Sequence, residues 1–147
     1  MEKASIQGKR RARKLALQAL YQWHMSGTDL HEIDAQFRAN NNMDRVDISY
    51  FTDLLYGVPK SVSDLDTAFE PFLDRKVNEL NPIELTVLRL STFELIHKLE
   101  IPYRVVLDEA ITLAKEFGSQ DGHRYVNGVL HNLAKIHRKI EINMAHE

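Results

Sequence analysis

Apolar residues recur at intervals of three and four along most of the chain, which is the spacing of one face of an α-helix. The first stripe predicts a helix from about Lys9 to His24, with Gly27 as its stop signal. Its apolar face consists of Ala12, Leu15, Ala16, Ala19, Leu20 and Trp23. Asp29 and Asp47 stand where the N-caps of the next two helices are expected.

Prolines mark the limits of the following stripes. Pro59 should break or kink the third helix, because proline lacks the N–H group that a helical hydrogen bond needs. Asn81 and Pro82 form a compact helix start, in which the Glu84 carboxylate can reach back to the N-cap. This helix is apolar on two sides up to about Leu99, so we expect neighbours to surround it.

Two further helices complete the pattern, from about Pro102 to Gly118 and from Asp121 to about Ile140. Gly128 lies inside the last helix, where we expect it to mark close packing against a neighbouring helix. No stretch shows the alternation of a β-strand. The predicted fold class is all-α, a single-domain bundle of about seven helices over residues 1–147, with residues 1–8 and 141–147 flexible.

The formal net charge of −2 hides two basic ends. Residues 1–14 carry six Lys or Arg and one Glu, and residues 122–140 carry four Lys or Arg and no acid. Acids outnumber bases in residues 15–121. This pattern indicates a polyanion site to which both ends contribute. From charge alone, a solvated tail and a solvated helix face explain the basic ends better than a polyanion site does.

Opposite its apolar stripe, the first helix carries a face that changes from basic to aromatic. This face consists of Arg10, Arg13, Lys14, Leu17 and Tyr21. Arginine binds phosphate through paired hydrogen bonds, and tyrosine can stack on the splayed bases of single-stranded RNA. Arg124 and Tyr125 repeat the combination at the start of the last helix. Alternatively, the two tyrosines pack in the core or at its rim.

Motifs for catalysis and metal binding are missing. The chain has no cysteine, no His-Glu-x-x-His motif and no glycine-rich phosphate loop. We therefore predict no enzyme activity, no metal site and no cofactor. No apolar run has the length of a membrane span, and the N-terminus lacks the apolar segment of a secretory signal, so a cytoplasmic protein is expected.

Several motifs follow one another at specific spacings along nearly the whole chain. They lie in the stretches 11–23, 50–58, 84–95, 102–118 and 121–130, and the strongest contains Glu109-Ala110-Ile111 and Tyr125-Val126-Asn127-Gly128. In this order they resemble the NusB family of bacterial transcription antitermination factors. The resemblance implies an all-helical fold and RNA binding without catalysis. It also implies pairing with NusE (a small-subunit ribosomal protein), binding of single-stranded boxA RNA in ribosomal RNA leader transcripts, and assembly with NusA and NusG on RNA polymerase.

The resemblance assigns two sets of residues by position. The implied RNA-binding residues are Lys9, Arg10, Arg11, Arg13, Lys14, Lys115, Arg124, Tyr125 and Asn127. The implied NusE surface includes Tyr21, Glu84 and Arg89, which assigns Tyr21 to the protein partner rather than to a base. A homodimer stays open as well.

Two other classes of function also stay open. A NusB-like domain precedes the catalytic domain of some ribosomal RNA cytosine methyltransferases. Such an enzyme needs a longer chain with a cofactor fold and a catalytic cysteine, so this chain would be a fragment of it. The other class is a helical adaptor that binds only protein, against which the basic ends argue.

Overall fold

The computed structural model describes residues 2–145 and the side chains of residues 5–144. These residues form α-helices and no strand, which confirms the predicted fold class. The eight helices of the described residues are α1 (Glu2–Ser26), α2 (Leu30–Asn40), α3 (Ile48–Lys60), α4 (Val62–Phe69), α5 (Pro82–His97), α6 (Tyr103–Phe117), α7 (Gly122–His137) and α8 (Lys139–Ala145). Two 3₁₀ turns, Glu70–Phe72 and Val77–Glu79, connect α4 to α5. The chain divides into two compact units, Met1–Lys60 (unit 1) and Ser61–Glu147 (unit 2), and the single domain stays a prediction.

Local signals set the helix ends of unit 1 as predicted. Gly27 ends α1 with a φ of 68°, a left-handed conformation that favours glycine. The carboxylates of Asp29 and Asp47 accept hydrogen bonds of 2.9 Å and 3.0 Å from backbone N–H groups in the first turns of α2 and α3. Pro59 lies in the last turn of α3, and the helix ends one residue later at Lys60.

Helix α1 differs from its prediction in length and in burial. It begins at Glu2 rather than at about Lys9. Leu17 and Arg13, which the pattern placed opposite the apolar stripe, are 1% and 3% exposed, whereas Leu15 is only half-buried. Both α2 and α3 pack against α1, so a wider arc of this helix is buried than a single stripe.

Helix α5 lies at the centre of unit 2, as its two apolar sides predict. Helices α4, α6 and α7 all pack against it. Eleven of the twelve residues from Glu84 to Leu95 are buried, with Arg89 as the exception. A four-residue connection joins α6 to α7, which pack together as a helical hairpin.

A buried arginine completes the C-terminal end of α5. The Arg138 guanidinium donates to the backbone carbonyls of Glu94 (3.2 Å), Leu95 (2.8 Å), Lys98 (2.9 Å) and Ile101 (2.8 Å). A fifth bond of 2.6 Å goes to the Glu141 carboxylate, so all five N–H donors of the guanidinium are used. Arg138 therefore satisfies helix-end carbonyls and is not part of the basic surface to which the sequence assigned it.

Glu141 performs the matching role at the start of α6. Pro102 precedes this helix and offers no side-chain cap, and the Glu141 carboxylate accepts a hydrogen bond of 2.8 Å from the Tyr103 N–H instead. The flexibility of residues 1–8 and 141–147 stays a prediction. Residues 2–8 are helical in α1, 141–145 are helical in α8, and residues 1, 146 and 147 lie outside the described residues.

The predicted capping box at α5 is only half formed. The Asn81 side chain accepts hydrogen bonds from the first turn, as expected. The Glu84 carboxylate instead accepts a hydrogen bond of 2.5 Å from the Ser119 hydroxyl. Gly122 opens α7 beside this carboxylate, and a Cβ atom at Gly122 would overlap it. The sequence missed this close approach, because Glu84 and Gly122 are distant in the chain.

The expectation for Gly128 is wrong. This glycine is exposed, and a Cβ atom there would meet no atom within 4 Å. Packing inside the chain therefore does not explain why a helix carries glycine at this position.

We expect Arg138→Met to lower the free energy of unfolding by about 3 kcal/mol or more, because it leaves buried carbonyls without donors. Arg138→Lys should restore only part of the loss, since an ammonium group cannot reproduce the planar fork. Urea unfolding followed by circular dichroism measures the effect. The exposed neighbour provides the control, and Lys139→Met should change the free energy little. Equal effects at the two positions would refute the structural role of Arg138.

The two α7 glycines should respond to alanine with opposite signs. Gly128→Ala should stabilise the protein by about 1 kcal/mol, because alanine is the better helix former and has room. Gly122→Ala should destabilise it by about 1–3 kcal/mol, because the methyl group must displace the buried Glu84 carboxylate. Thermal unfolding of the two variants under the same conditions tests this. A gain at Gly122 would contradict the observed packing.

Candidate nucleic-acid interface

The basic residues of α1 separate into a buried set and an exposed set. Arg10, Arg11 and Lys14 are exposed, and Arg10 and Lys14 lie one helical turn apart. Arg13 is 3% exposed, so its position in the helix turns it inward. Three of the five predicted α1 cations are therefore exposed.

Lys9 and Arg13 both lie close to an aromatic ring of α3. The Lys9 ammonium is 5.5 Å from the centroid of the Tyr50 ring, and the Arg13 guanidinium is 5.4 Å from it. The Lys9 ammonium also lies 3.3 Å from the carboxylate of Asp47, the residue that caps α3. Arg13 therefore helps to hold α1 against α3, and its assignment as an RNA contact stays a prediction. Lys9 is half-buried and already has an anionic partner.

A groove beside α1 contains a cation that the sequence did not single out. Arg11 lines this groove of about 530 Å³ together with Arg45, Asp44 and Gly8. The Asp47 N–H donates a hydrogen bond of 3.1 Å to the Gly8 carbonyl, which holds the loop before α3 against α1. Arg45 lies in a polar turn that this long-range contact helps to bring near Arg11. The two guanidinium groups can bind phosphate, and Asp44 and Asp47 on the same groove offset part of their charge.

In unit 2, Tyr125 has an arginine over its ring. The Arg75 guanidinium lies 4.7 Å from the ring centroid, and the Asp74 N–H donates a hydrogen bond of 3.3 Å to the phenol oxygen. Burial raises the pKa of the Tyr125 phenol above its ordinary value, so the phenol is neutral at neutral pH. Asp74 and Arg75 form an ion pair of 2.6 Å, and the hydrogen bond from Arg75 lowers the pKa of the Asp74 carboxyl.

The remaining predicted RNA residues of unit 2 lie around the α6–α7 hairpin. Lys115 and Arg124 are exposed, near the connection between the two helices. Asn127 is half-buried in a groove of about 360 Å³ that Arg104 and His131 also line. Tyr125 lines a different cleft, so the structure does not bring Asn127 and Tyr125 to one pocket.

The three residues predicted for a protein partner differ in accessibility. Tyr21 is half-buried. Arg89 forms a bidentate ion pair with Asp66, with bonds of 2.9 Å and 2.8 Å, and 12% of its side chain is exposed. Glu84 is 4% exposed and bonded to Ser119, so its carboxylate is not presented to a partner in this structure. The sequence pattern missed the burial of Glu84, because this residue stands on a helix that is covered on all sides.

Among the side chains that the structure describes, no cluster of His, Asp or Glu has the arrangement of a metal site. None of the described helices combines the length and the apolar character needed to cross a bilayer.

Comparison with known proteins identifies relatives over the whole chain. The sequence model of the NusB family matches residues 10–135. A protein of Legionella pneumophila (strain Corby) named transcription antitermination protein NusB is 66% identical over 147 residues, which is 100% of both chains. A protein of the same name from Pseudomonas fluorescens (strain Pf-5) is 54% identical over 141 residues, covering 95% of this chain and 85% of the relative.

Solved structures show the same fold. A structure of T. maritima NusB has a TM-score of 0.79 and 30% identity, and it covers 90% of this chain and 96% of its own. A structure of the antitermination factors NusB and NusE in complex with dsRNA has a TM-score of 0.77 and 24% identity. The match covers 92% of this chain and 98% of the matched chain. The second likeness shows the fold alone. With a family match over most of its length and relatives identical at two residues in three, the chain belongs to the NusB family.

Proposed function

We propose that this chain is a transcription antitermination factor that acts by binding RNA and protein and catalyses no reaction. The names of its full-length relatives support the regulatory role. The observation that carries the RNA-binding part is the sorting of the α1 cations. Arg10, Arg11 and Lys14 are exposed although a buried arginine stands between them, and Arg45 joins Arg11 on one groove.

The proposed ligand is single-stranded boxA RNA of ribosomal RNA leader transcripts. Phosphate contacts from Arg10, Arg11 and Lys14 in unit 1 supply affinity that does not depend on sequence. In unit 2, an unpaired base is proposed to stack on the Tyr125 ring, where it would share the ring with the Arg75 guanidinium or displace it, and a duplex base cannot do so. Lys115, Arg124 and Asn127 are the further proposed contacts of unit 2. Lys9 is proposed as a secondary contact, since Asp47 competes for its ammonium.

The proposed protein partner is NusE, a ribosomal protein. A solved structure with this fold holds NusB and NusE together with RNA. Tyr21 and Arg89 are the proposed contacts, because both side chains retain some exposed surface. Glu84 is proposed to act indirectly, since its buried carboxylate holds the start of α7 through Ser119. With NusA and NusG, the pair is proposed to join RNA polymerase in the cytoplasm.

The two alternative functions have less support. The reported curated relatives are named antitermination proteins rather than methyltransferases, and the Legionella match extends over the whole relative. A protein-only adaptor would not need three exposed cations on two turns of one helix.

Removal of two α1 cations should weaken the binding of every RNA sequence. The double change Arg10→Ala and Arg11→Ala should lower the slope of log K against log salt by about 1.4, since each single-strand phosphate contact contributes about 0.7. Fluorescence anisotropy with boxA RNA in the presence of NusE, across a salt series, measures both the affinity and its salt dependence. Lys60→Ala removes an exposed cation at the end of α3 and should leave the slope unchanged. An unchanged slope in the double variant would refute the α1 contact.

Stacking on Tyr125 predicts a difference between two substitutions. Tyr125→Phe keeps the ring and should retain RNA affinity, whereas Tyr125→Ala should lower it roughly five- to hundredfold, as expected for one stacked base. A single-stranded boxA RNA and its duplex are titrated in parallel. If Tyr125→Ala binds the single strand as tightly as the unchanged protein does, the ring has no stacking role. Equal losses for the duplex would show that the ring acts on folding.

The contribution of Arg89 to NusE binding can be separated from its ion pair. Arg89→Ala and Asp66→Ala both break the pair, and only the first removes the proposed partner contact. We expect Arg89→Ala to lower NusE affinity by about tenfold, because it removes one charged hydrogen bond to the partner. Asp66→Ala should lower the affinity much less. Isothermal titration calorimetry measures both. Equal losses would mean that the pair only supports the fold of unit 2.

A further inference from the structure

Unit 2 carries an apolar surface that the proposed RNA and NusE contacts do not use. Four exposed residues form it, which we call the C-terminal patch: Leu99, Ile136, Ile140 and Met144. Between 60% and 77% of each residue is exposed, and together they line a groove of about 710 Å³. A cluster of large apolar residues around one groove is typical of a binding surface, whereas single exposed apolar residues need no explanation.

The patch is held in place by polar contacts on the opposite side of α8. Glu141 faces inward, where its carboxylate oxygens accept hydrogen bonds from the Tyr103 N–H (2.8 Å) and from Arg138 (2.6 Å). Ile140 and Met144 are one helical turn apart and point outward. An amphipathic helix that faces only water places its apolar side inward. In α8, Ile142 is half-buried, but Ile140 and Met144 face outward, which indicates that something covers this side of the helix.

The charges around the patch are mostly positive. Lys139 and His137 line the groove and are exposed, and Lys135 is exposed one turn earlier on α7. The acid in the groove wall is Glu141, whose two oxygens are already engaged. Glu100, next to Leu99, is the exposed acid of this region. The surface therefore combines an apolar floor with a basic rim.

We propose that the C-terminal patch binds an amphipathic helix of a protein partner that carries Asp or Glu beside its apolar stripe. Apolar side chains at i, i+4 and i+7 of such a helix fit a groove lined by aliphatic residues. Its acids would meet Lys139 at the groove and Lys135 one turn earlier, which gives charge complementarity. A symmetric contact that pairs this patch with the same patch of a second copy would bring two basic rims together, which is unfavourable.

The patch is separate from the proposed RNA contacts on the same helix. Ile136 lies eleven residues after Tyr125 in α7, which is about 16 Å along the helix axis. The partner and the RNA can therefore bind at the same time, and the proposal does not depend on the RNA function.

The test uses synthetic helical peptides that share one leucine stripe and carry either glutamate or lysine beside it, with a fluorescent label. We expect the full chain to bind the glutamate peptides about tenfold more tightly than the lysine peptides at low salt. The double change Ile140→Ser and Met144→Ser should lower the affinity for the glutamate peptides by about tenfold. Lys139→Glu should remove the preference for glutamate over lysine peptides. The matched control is Ile6→Ser with Ile48→Ser, which changes two exposed apolar residues of unit 1 and should have no effect.

Several outcomes would overturn the proposal. One is the absence of peptide binding, and another is equal affinity for the two peptide types. A third is a dimer in sedimentation experiments that Ile140→Ser with Met144→Ser abolishes, because the occupant would then be a second copy. Patch-dependent binding to phosphatidylserine vesicles without peptide binding would likewise refute it. The affinity for boxA RNA should be the same in the Ile140→Ser and Met144→Ser double variant as in the unchanged protein. This result would separate the proposal from the RNA function.

Discussion

The buried guanidinium of Arg138 determines how the C-terminal half of unit 2 is built. The last carbonyls of a helix have no partner within the helix, and the hydrogen bonds to the carbonyls of Glu94 and Leu95 near the end of α5 are buried. Arg138 satisfies carbonyls at the end of α5 and in the loop that follows, up to 44 positions away in the chain. Its fifth donor binds Glu141, whose other oxygen caps α6. Two neighbouring side chains thus complete two helix ends, and the position of α8 follows from them.

Arginine therefore has two physical roles in this protein, and helical register selects between them. Arg13 and Arg138 are 3% exposed and stabilise packing through an aromatic ring and through backbone carbonyls. Arg10 and Arg11 are exposed and are proposed to contact RNA phosphates. A count of basic residues at the chain ends does not separate these roles, because adjacent positions on a helix differ by about 100° in direction. The exposed subset is the part on which the RNA-binding proposal depends.

The buried carboxylate of Glu84 connects the proposed sites of unit 2 to its core. This carboxylate accepts a hydrogen bond from the Ser119 hydroxyl and lies against Gly122, so it fixes where α7 begins. The first turn of α7 carries Arg124 and Tyr125, two proposed RNA contacts. A change at Glu84 would therefore alter the start of that helix as well as any partner surface. The same contact explains why a side chain at Gly122 is expected to destabilise the protein while one at the exposed Gly128 is not.

The sequence by itself determined the helices, most of their ends and the central position of α5. Apolar spacing, Gly27, Asp29, Asp47 and Asn81 act within a few residues of one another, so their effects follow from local geometry. Its motifs also identified the family. Tertiary structure alone decided which cations are buried, that Arg75 covers Tyr125, that Arg45 joins Arg11, and that Glu84 turns toward Ser119. Each of these contacts joins residues more than thirty positions apart, and chain periodicity carries no information about which distant side chains meet.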